Sequence, residues 1–327
     1  MMAQVLTSAD IDQTILLEKP VAVLGYGSQG RAQALNLRDS GVDVRVGLRD
    51  GAPSAERARD DGMRVVDVPT AVAEATLVAM LIPDTAAPAV FREWVAPDLA
   101  RGDAVLFAHG FNVHYSTVDI PATVDVIMVA PKAPGHAVRT TFADGHGVPC
   151  LTAVSQDFTG QATELANAYA DAIGGGRAGI LATTFAEETE TDLFGEQSVL
   201  VGGVTGLIRT AFEVLVDAGY QPESAYFECA HELKLVVDLI YEHGLAGMYR
   251  FISDTAEFGD YHTANRPVWS QVRAHFTGLL QEIQDGRFAR TWIAEDESGR
   301  AMFLAARKAA AGHPIEEVGE RLRGLTR

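Results

Sequence analysis

The sequence predicts an α/β fold, with an N-terminal Rossmann-type doubly wound sheet over residues 1–182 and an all-helical C-terminal domain over residues 183–327. Three observations carry this. A short apolar strand runs straight into a Gly25-x-Gly27-x-x-Gly30 turn followed by a helical pattern. Further apolar runs alternate with helical stretches as far as Val154, the order of a parallel sheet. From Thr183 onward the pattern is almost wholly helical.

With 327 residues, 47% of them hydrophobic, the chain can build two cores. Its formal charge of −18, from 26 basic and 44 acidic residues, opposes a nucleic-acid surface and suits a soluble cytoplasmic protein. Cys150 and Cys229 make no disulfide framework and lack metal-ligand spacing. No basic region precedes an apolar stretch at the N-terminus, so no signal peptide is expected. No apolar run reads as a membrane span.

Residues 21–24 form the first strand. Gly25 makes the turn, Gly27 lets a pyrophosphate approach the backbone, and Gly30 allows close helix packing. Ala32, Leu35 and Leu37 line the following helix, Gly41 stops it, and residues 42–46 are the second strand. An acid at that strand's end would hold the ribose hydroxyls of NAD. Here Arg49 suits a 2′-phosphate and Ser54 can donate a hydrogen bond, so NADP(H) is expected, with Asp50 an awkward neighbour.

Residues 77–82, 104–108 and 125–130 are further strands, and functional groups gather at their C-terminal ends. Asp84 and Thr85, His109, and Lys132 stand there. A histidine after a strand is often a hydrogen-bonded core residue, and a lone lysine is usually solvated. Their shared placement singles out His109 and Lys132. His114 and His136 lack such support. A strand at 150–154, a helix near 158–173 and Gly174–Gly176 close the first domain.

In the second half, residues 199–218 and 228–241 have the length and apolarity of buried core helices, while 268–284 and 287–297 are amphipathic and peripheral. The stretch 183–197 concentrates Glu187, Glu188, Glu190, Asp192 and Glu196. On a helix, Glu188, Asp192 and Glu196 share one stripe, with neighbouring Cβ atoms roughly 5–6 Å apart. The helix dipole favours acids in a first turn, which makes a solvated acidic face the bland reading. No Lys or Arg lies between Arg177 and Arg209 to neutralise them locally. Glu228 and Glu232 repeat the spacing. Two carboxylate pairs suit hard divalent ions, Mg2+ first, and the spacing equally fits two solvated acidic faces.

Several motifs together resemble the ketol-acid reductoisomerase family, in its short class I form. They are the 25–30 glycine turn, Gly47-Leu-Arg49, Ala108-His-Gly-Phe-Asn112, Val129-Ala-Pro-Lys132, the acidic stretch 187–197, Tyr226-Phe-Glu-Cys229, His231-Glu-Leu-Lys234 and Ile252-Ser-Asp-Thr-Ala-Glu257. The resemblance covers essentially the whole chain. It implies alkyl migration in a 2-hydroxy-3-keto acid such as 2-acetolactate or 2-aceto-2-hydroxybutyrate, then NADPH reduction, in branched-chain amino-acid synthesis. It further implies two Mg2+ ions, with Asp192 bridging, Glu196 on the first ion, and Glu228 and Glu232 on the second. Glu188 would stand behind these ligands, Lys132 beside the metal-bound oxygen, His109 in support of proton transfer, and Ser253 on the substrate carboxylate. Tyr26, Gly27, Ser28, Gln29, Arg49, Ser54, Asp84, Thr85 and Gly135 would line NADP(H). The helical domain would be knotted and the homodimer, or higher homo-oligomer, intertwined so that sites are shared.

Four departures from the family pattern stand out: Arg31 and Gln33 in place of two histidines, Ala52 in place of a phosphate-binding serine, Ala133 in place of a glycine, and Tyr249-Arg-Phe251 ahead of Ser253. A specialised-pathway paralogue, an NADP-dependent dehydrogenase of the beta-hydroxyacid or 6-phosphogluconate type, and a silent NADP-binding protein are the competing readings.

Overall fold

The structure, a computed structural model, describes residues 4–324. The chain forms two compact units, Met1–Thr191 and Asp192–Arg327.

The first unit is built on nine strands: β1 Val5–Leu6, β2 Val21–Leu24, β3 Val44–Gly47, β4 Arg64–Val66, β5 Leu77–Met80, β6 Ala104–Phe107, β7 Asp125–Pro131, β8 Cys150–Gln156 and β9 Ile180–Ala182. Their spatial order is β1-β9-β8-β7-β6-β5-β2-β3-β4. From β4 through β7 the six neighbouring strands are parallel. The order reverses at β2, which puts a crevice beyond the C-terminal ends of β2 and β5. Helices cover both faces, so central strands are apolar throughout. Val21 and Val23 enter one layer of core, and Ala22 and Leu24 the other.

The expected doubly wound parallel sheet is present from β4 through β7, and beyond it two pairings are antiparallel: β8 to β7, and β1 to β9. The cause is length. The Gly135–Ala143 helix has nine residues, about 14 Å, whereas seven-residue β7 spans about 23 Å. It does not return the chain to the far end of the sheet, and Cys150 pairs with Pro131 at the end β7 has just reached. Strands β1, β4 and β9 have two or three residues each, too few for an apolar period to register.

The second unit is helical. Its long helices are Gly202–Asp217, Glu232–Gly247, Asp254–Ala264, Val268–Gln284, Arg287–Glu297, Ala301–Ala311 and Pro314–Arg323. Two π-helical turns interrupt it, Glu196–Leu200 and Phe227–His231, holding Glu196 and Glu228 respectively. The first has a sequence cause: a Cβ on Gly202 would lie 2.3 Å from the Gln197 carbonyl oxygen, and one on Gly203 2.0 Å from that of Ser198. Only glycines admit carbonyls that close to the widened turn.

The expectation of buried core helices fails within this chain. Leu200, Leu207, Leu235 and Tyr241 are all exposed, Tyr241 by 91%. The apolar stretch was also underrated: within the helical segment Phe185–Asp217, 18 residues with a mean hydropathy of 1.7 are long and apolar enough to cross a membrane, and 6% of them are buried.

Candidate active site

Lys132 directly follows β7 and His109 follows β6 after one intervening residue, so the parallel register brings both to the same edge of the sheet. Between them enters Glu188, in the Phe185–Gly195 helix and only 1% exposed. Lys132 Nζ lies 2.7 Å from Glu188 Oε1. His109 Nδ1 lies 3.0 Å from Oε2, which also accepts the backbone N–H of Gly110 at 3.0 Å. A carboxylate only accepts, so Nδ1 carries the hydrogen. Burial alone would raise the Glu188 pKa; the His109 hydrogen bond and the charges of His109 and Lys132 outweigh it and hold it at about 2.

This answers the question posed by the acid-rich stretch. The charges that compensate Glu188 come from 56 and 79 residues earlier in the chain. Glu187, one residue before, is exposed and takes the hydroxyl of Thr183 instead. Two participants escaped sequence reading. Gly110 supplies a backbone donor, and a Cβ there would sit 2.2 Å from Thr189 Oγ1 and 2.8 Å from the Phe185 carbonyl oxygen. Its place in a strand-end motif was the only available signal. His114, which had no sequence support, sits with Nε2 3.7 Å from Glu190 Oε1.

The glycine turn is shaped for a dinucleotide. Gly25 has φ +95°, and a Cβ on it would meet the Leu81 carbonyl oxygen at 2.5 Å. A Cβ on Gly30 would meet the Gly25 carbonyl oxygen at 2.4 Å, whereas one on Gly27 would meet nothing within 4 Å. The open space is therefore at the second glycine, where the Ser28–Asp39 helix begins and its N–H groups face outward. Gly135 packs on Ser28, a Cβ there reaching the Ser28 carbonyl oxygen at 2.1 Å, so two helix N-termini meet. A cavity of about 420 Å³ beside them is lined by Gly27, Ser28, Gly135, Arg31, Arg57 and Arg139, among others.

Arg49 is exposed at the end of β3, in a turn closed by the Ala52 N–H on its carbonyl at 3.1 Å, with Gly51 at φ +70°. Ser54 opens the Ser54–Asp60 helix. The Tyr26 hydroxyl is buried and donates to Asp61 at 2.9 Å, so its side chain turns away from the turn it belongs to. Arg31 grips the same Asp61 through two bonds of 2.7 and 2.8 Å, which accounts for one departure from the family pattern. Asp84 accepts from Asn112 at 3.2 Å, and Thr85 is half-buried beside it.

The remaining residues lie in the helical unit. Asp192 follows Glu188 by one turn of the same helix, and Glu196 opens the π-helical turn. Glu228 and Glu232 are exposed. No cluster of three or more candidate metal ligands among the described residues includes Glu196, Glu228 or Glu232. Ser253 caps the Asp254–Ala264 helix, accepting the Ala256 N–H at 3.2 Å.

A glycine-rich nucleotide turn at the switch point of a doubly wound sheet, with a buried Glu–Lys–His cluster at the same strand ends, defines a dinucleotide-dependent oxidoreductase. Comparison with known proteins narrows this. Residues 15–179 match the model of the acetohydroxy acid isomeroreductase NADPH-binding domain, and residues 185–327 that of the ketol-acid reductoisomerase C-terminal domain. The chain is 53% identical over 325 residues to the ketol-acid reductoisomerase (NADP(+)) of Saccharopolyspora erythraea, covering 99% of this chain and 98% of that protein. It superposes with TM-score 0.95 on an NADH-preferring ketol-acid reductoisomerase from an uncultured archaean, 43% identical, covering 98% and 99% of the two chains. A protein of Jannaschia sp. CCS1, 16% identical with TM-score 0.60, shares the fold alone, covering 81% of this chain and 97% of that one. The chain belongs to the ketol-acid reductoisomerase family and is an enzyme.

Proposed function

We propose that this enzyme converts 2-acetolactate or 2-aceto-2-hydroxybutyrate, by Mg2+-dependent alkyl migration and NADPH reduction, into 2,3-dihydroxy-3-methyl acids of valine, isoleucine and leucine synthesis. The supporting observation is the ionised, buried Glu188 between Lys132 and His109. Migration requires one substrate oxygen to lose a proton while its neighbour gains charge. Glu188, held near pKa 2, is too weak a base to take that proton itself. Its part is to fix Lys132 Nζ as a donor and to hold the hydrogen on His109 Nδ1, which makes the other ring nitrogen the basic one.

The donor set fits hard cations: Asp192, Glu196, Glu228 and Glu232 offer only carboxylate oxygens. Bound there, Mg2+ would act as a Lewis acid on the hydroxyl and ketone of the substrate. NADPH fits the open space at Gly27, with Arg49 and Ser54 on the 2′-phosphate, and would supply the hydride. Ser253 is the candidate for the substrate carboxylate.

We read the helical unit as half of a knotted, intertwined homodimer or higher oligomer with shared sites. What supports this is the exposure of its apolar helices and the absence of Glu228 and Glu232 from any ligand cluster among the described residues. A subunit partner accounts for the apolar Phe185–Asp217 segment better than a membrane does, because Glu187, Glu188, Glu190, Asp192 and Glu196 crowd one end of it. A cytoplasmic enzyme without nucleic-acid partners accords with the charge of −18.

The test is NADPH oxidation with 2-acetolactate, with and without Mg2+, repeated with 2-aceto-2-hydroxybutyrate and NADH. Metal-dependent turnover supports the reading, and turnover indifferent to chelation overturns it. Ala52 and Asp50 favour a second reading, NADH preference, which the coenzyme ratio in the same assay decides.

A further inference from the structure

A chain of three side chains crosses the sheet unit and ends beside Lys132. The Tyr169 hydroxyl donates to Gln33 Oε1 at 3.0 Å, Gln33 Nε2 donates to Gln29 Oε1 at 3.0 Å, and Gln29 Nε2 donates to the Ala133 carbonyl oxygen at 3.0 Å. Tyr169 and Gln33 are wholly buried. The last acceptor sets the direction of every bond. A carbonyl only accepts, so Gln29 must present its amide nitrogen to Ala133 and its oxygen to Gln33. Gln33 is thereby oriented the same way, and Tyr169 is left as the donor that starts the chain. Three bonds aligned head to tail in a buried setting reinforce one another.

The loop that receives them is short. Lys132 donates its backbone N–H to Pro149 at 2.8 Å, Ala133 accepts from Gln29, and Gly135 packs on Ser28. Gln29 is half-buried and, without Gln33, is able to rotate toward solvent and release Ala133.

We propose that Gln33 and Tyr169 are positioning residues for Lys132, acting through Gln29 on the backbone that carries it. Both side chains are wholly buried and neither reaches the glycine turn's open face, so a positioning role shows in kcat rather than in NADPH affinity, although the chain passes through Gln29 at that turn. The proposal rests on the role given to Lys132 above, so the experiment runs Gln33→Met, Tyr169→Phe and Lys132→Met in parallel. The dimeric enzyme is assayed at saturating substrate and Mg2+, and NADPH affinity is measured separately by fluorescence titration.

Gln33→Met should lower kcat about tenfold, and Tyr169→Phe about threefold, with the NADPH dissociation constant within twofold of wild type. Should Gln33→Met fail to fold, Tyr169→Phe decides, since it removes one oxygen atom and keeps the ring. A merely structural chain would lower the melting temperature and leave kcat per folded enzyme unchanged, which overturns the proposal. Weakened NADPH binding at constant kcat overturns it equally, by making the chain part of the nucleotide site. If Lys132→Met also retains kcat, the role of Lys132 fails, and the positioning role with it.

Discussion

The two units of this chain use apolar residues in opposite ways. In the sheet unit, Leu24, Val23, Leu77 and Leu106 are fully buried, and Glu188 meets all its charge partners from the same unit. In the helical unit, Leu207 is 69% exposed and Leu245 71%, and among the described residues few large side chains, Phe212 and Ile283 among them, are fully buried. A helix apolar on several faces does not remain in water by itself. One unit buries its apolar side chains, while the other leaves its apolar helix faces exposed and, among the described residues, Glu196, Glu228 and Glu232 outside any ligand cluster.

The strongest test of this contrast is Glu188→Gln. Chemistry in the sheet unit should be separable from assembly, so kcat should fall by about 10³-fold or more while sedimentation and helix content stay native. Dissociation of the variant would break the comparison.

Core and surface substitutions sharpen it. Leu24→Ala should cost about 2–5 kcal/mol, read as a lower melting temperature that does not depend on protein concentration. If the proposed dimer covers Leu207, Leu207→Asp should cost a similar amount, about 2–4 kcal/mol, visible as a shift from dimer to monomer in sedimentation. If Leu207 faces solvent in the assembled protein, the change stays within about 0.5 kcal/mol and the mass is unaltered.

Acid should act first on the sheet unit. Two of its carboxyls are held at about 2: Glu188 as described, and Asp61 through the hydrogen bond from Arg31. A depressed pKa contributes stability that is complete above the ordinary value of 4.5 and lost as pH falls toward 2. For Glu188 this is on the order of 3 kcal/mol. Denaturant titrations between pH 5 and 2 should show a falling stability whose slope Glu188→Gln reduces. An unchanged slope would mean the cluster is not formed as described.

The smallest effect expected is at Arg49. Arg49→Ala should weaken NADPH by about 1.5–3 kcal/mol and leave NADH nearly untouched. Equal losses for both coenzymes would show that Arg49 does not read a 2′-phosphate, consistent with Ala52 standing where a serine is usual in the family.

What the sequence determined by itself was local. Strand, Gly25–Gly30 turn and helix were legible because each rests on contacts within a few residues, and a residue at a strand end is known to sit at the crevice once the strand is recognised. The helical character of residues 183–327 was equally plain. The pairing of Glu188 with Lys132 and His109 was not, because it depends on β6 and β7 being neighbours, a fact of sheet order that no short window contains. The reversal of β8 came from a helix too short to complete a crossover. Apolar periodicity announced that the helices around Leu207 and Leu235 need a covering surface. Only the tertiary structure decided that this chain does not provide it, since periodicity states which face avoids water and says nothing about what meets that face.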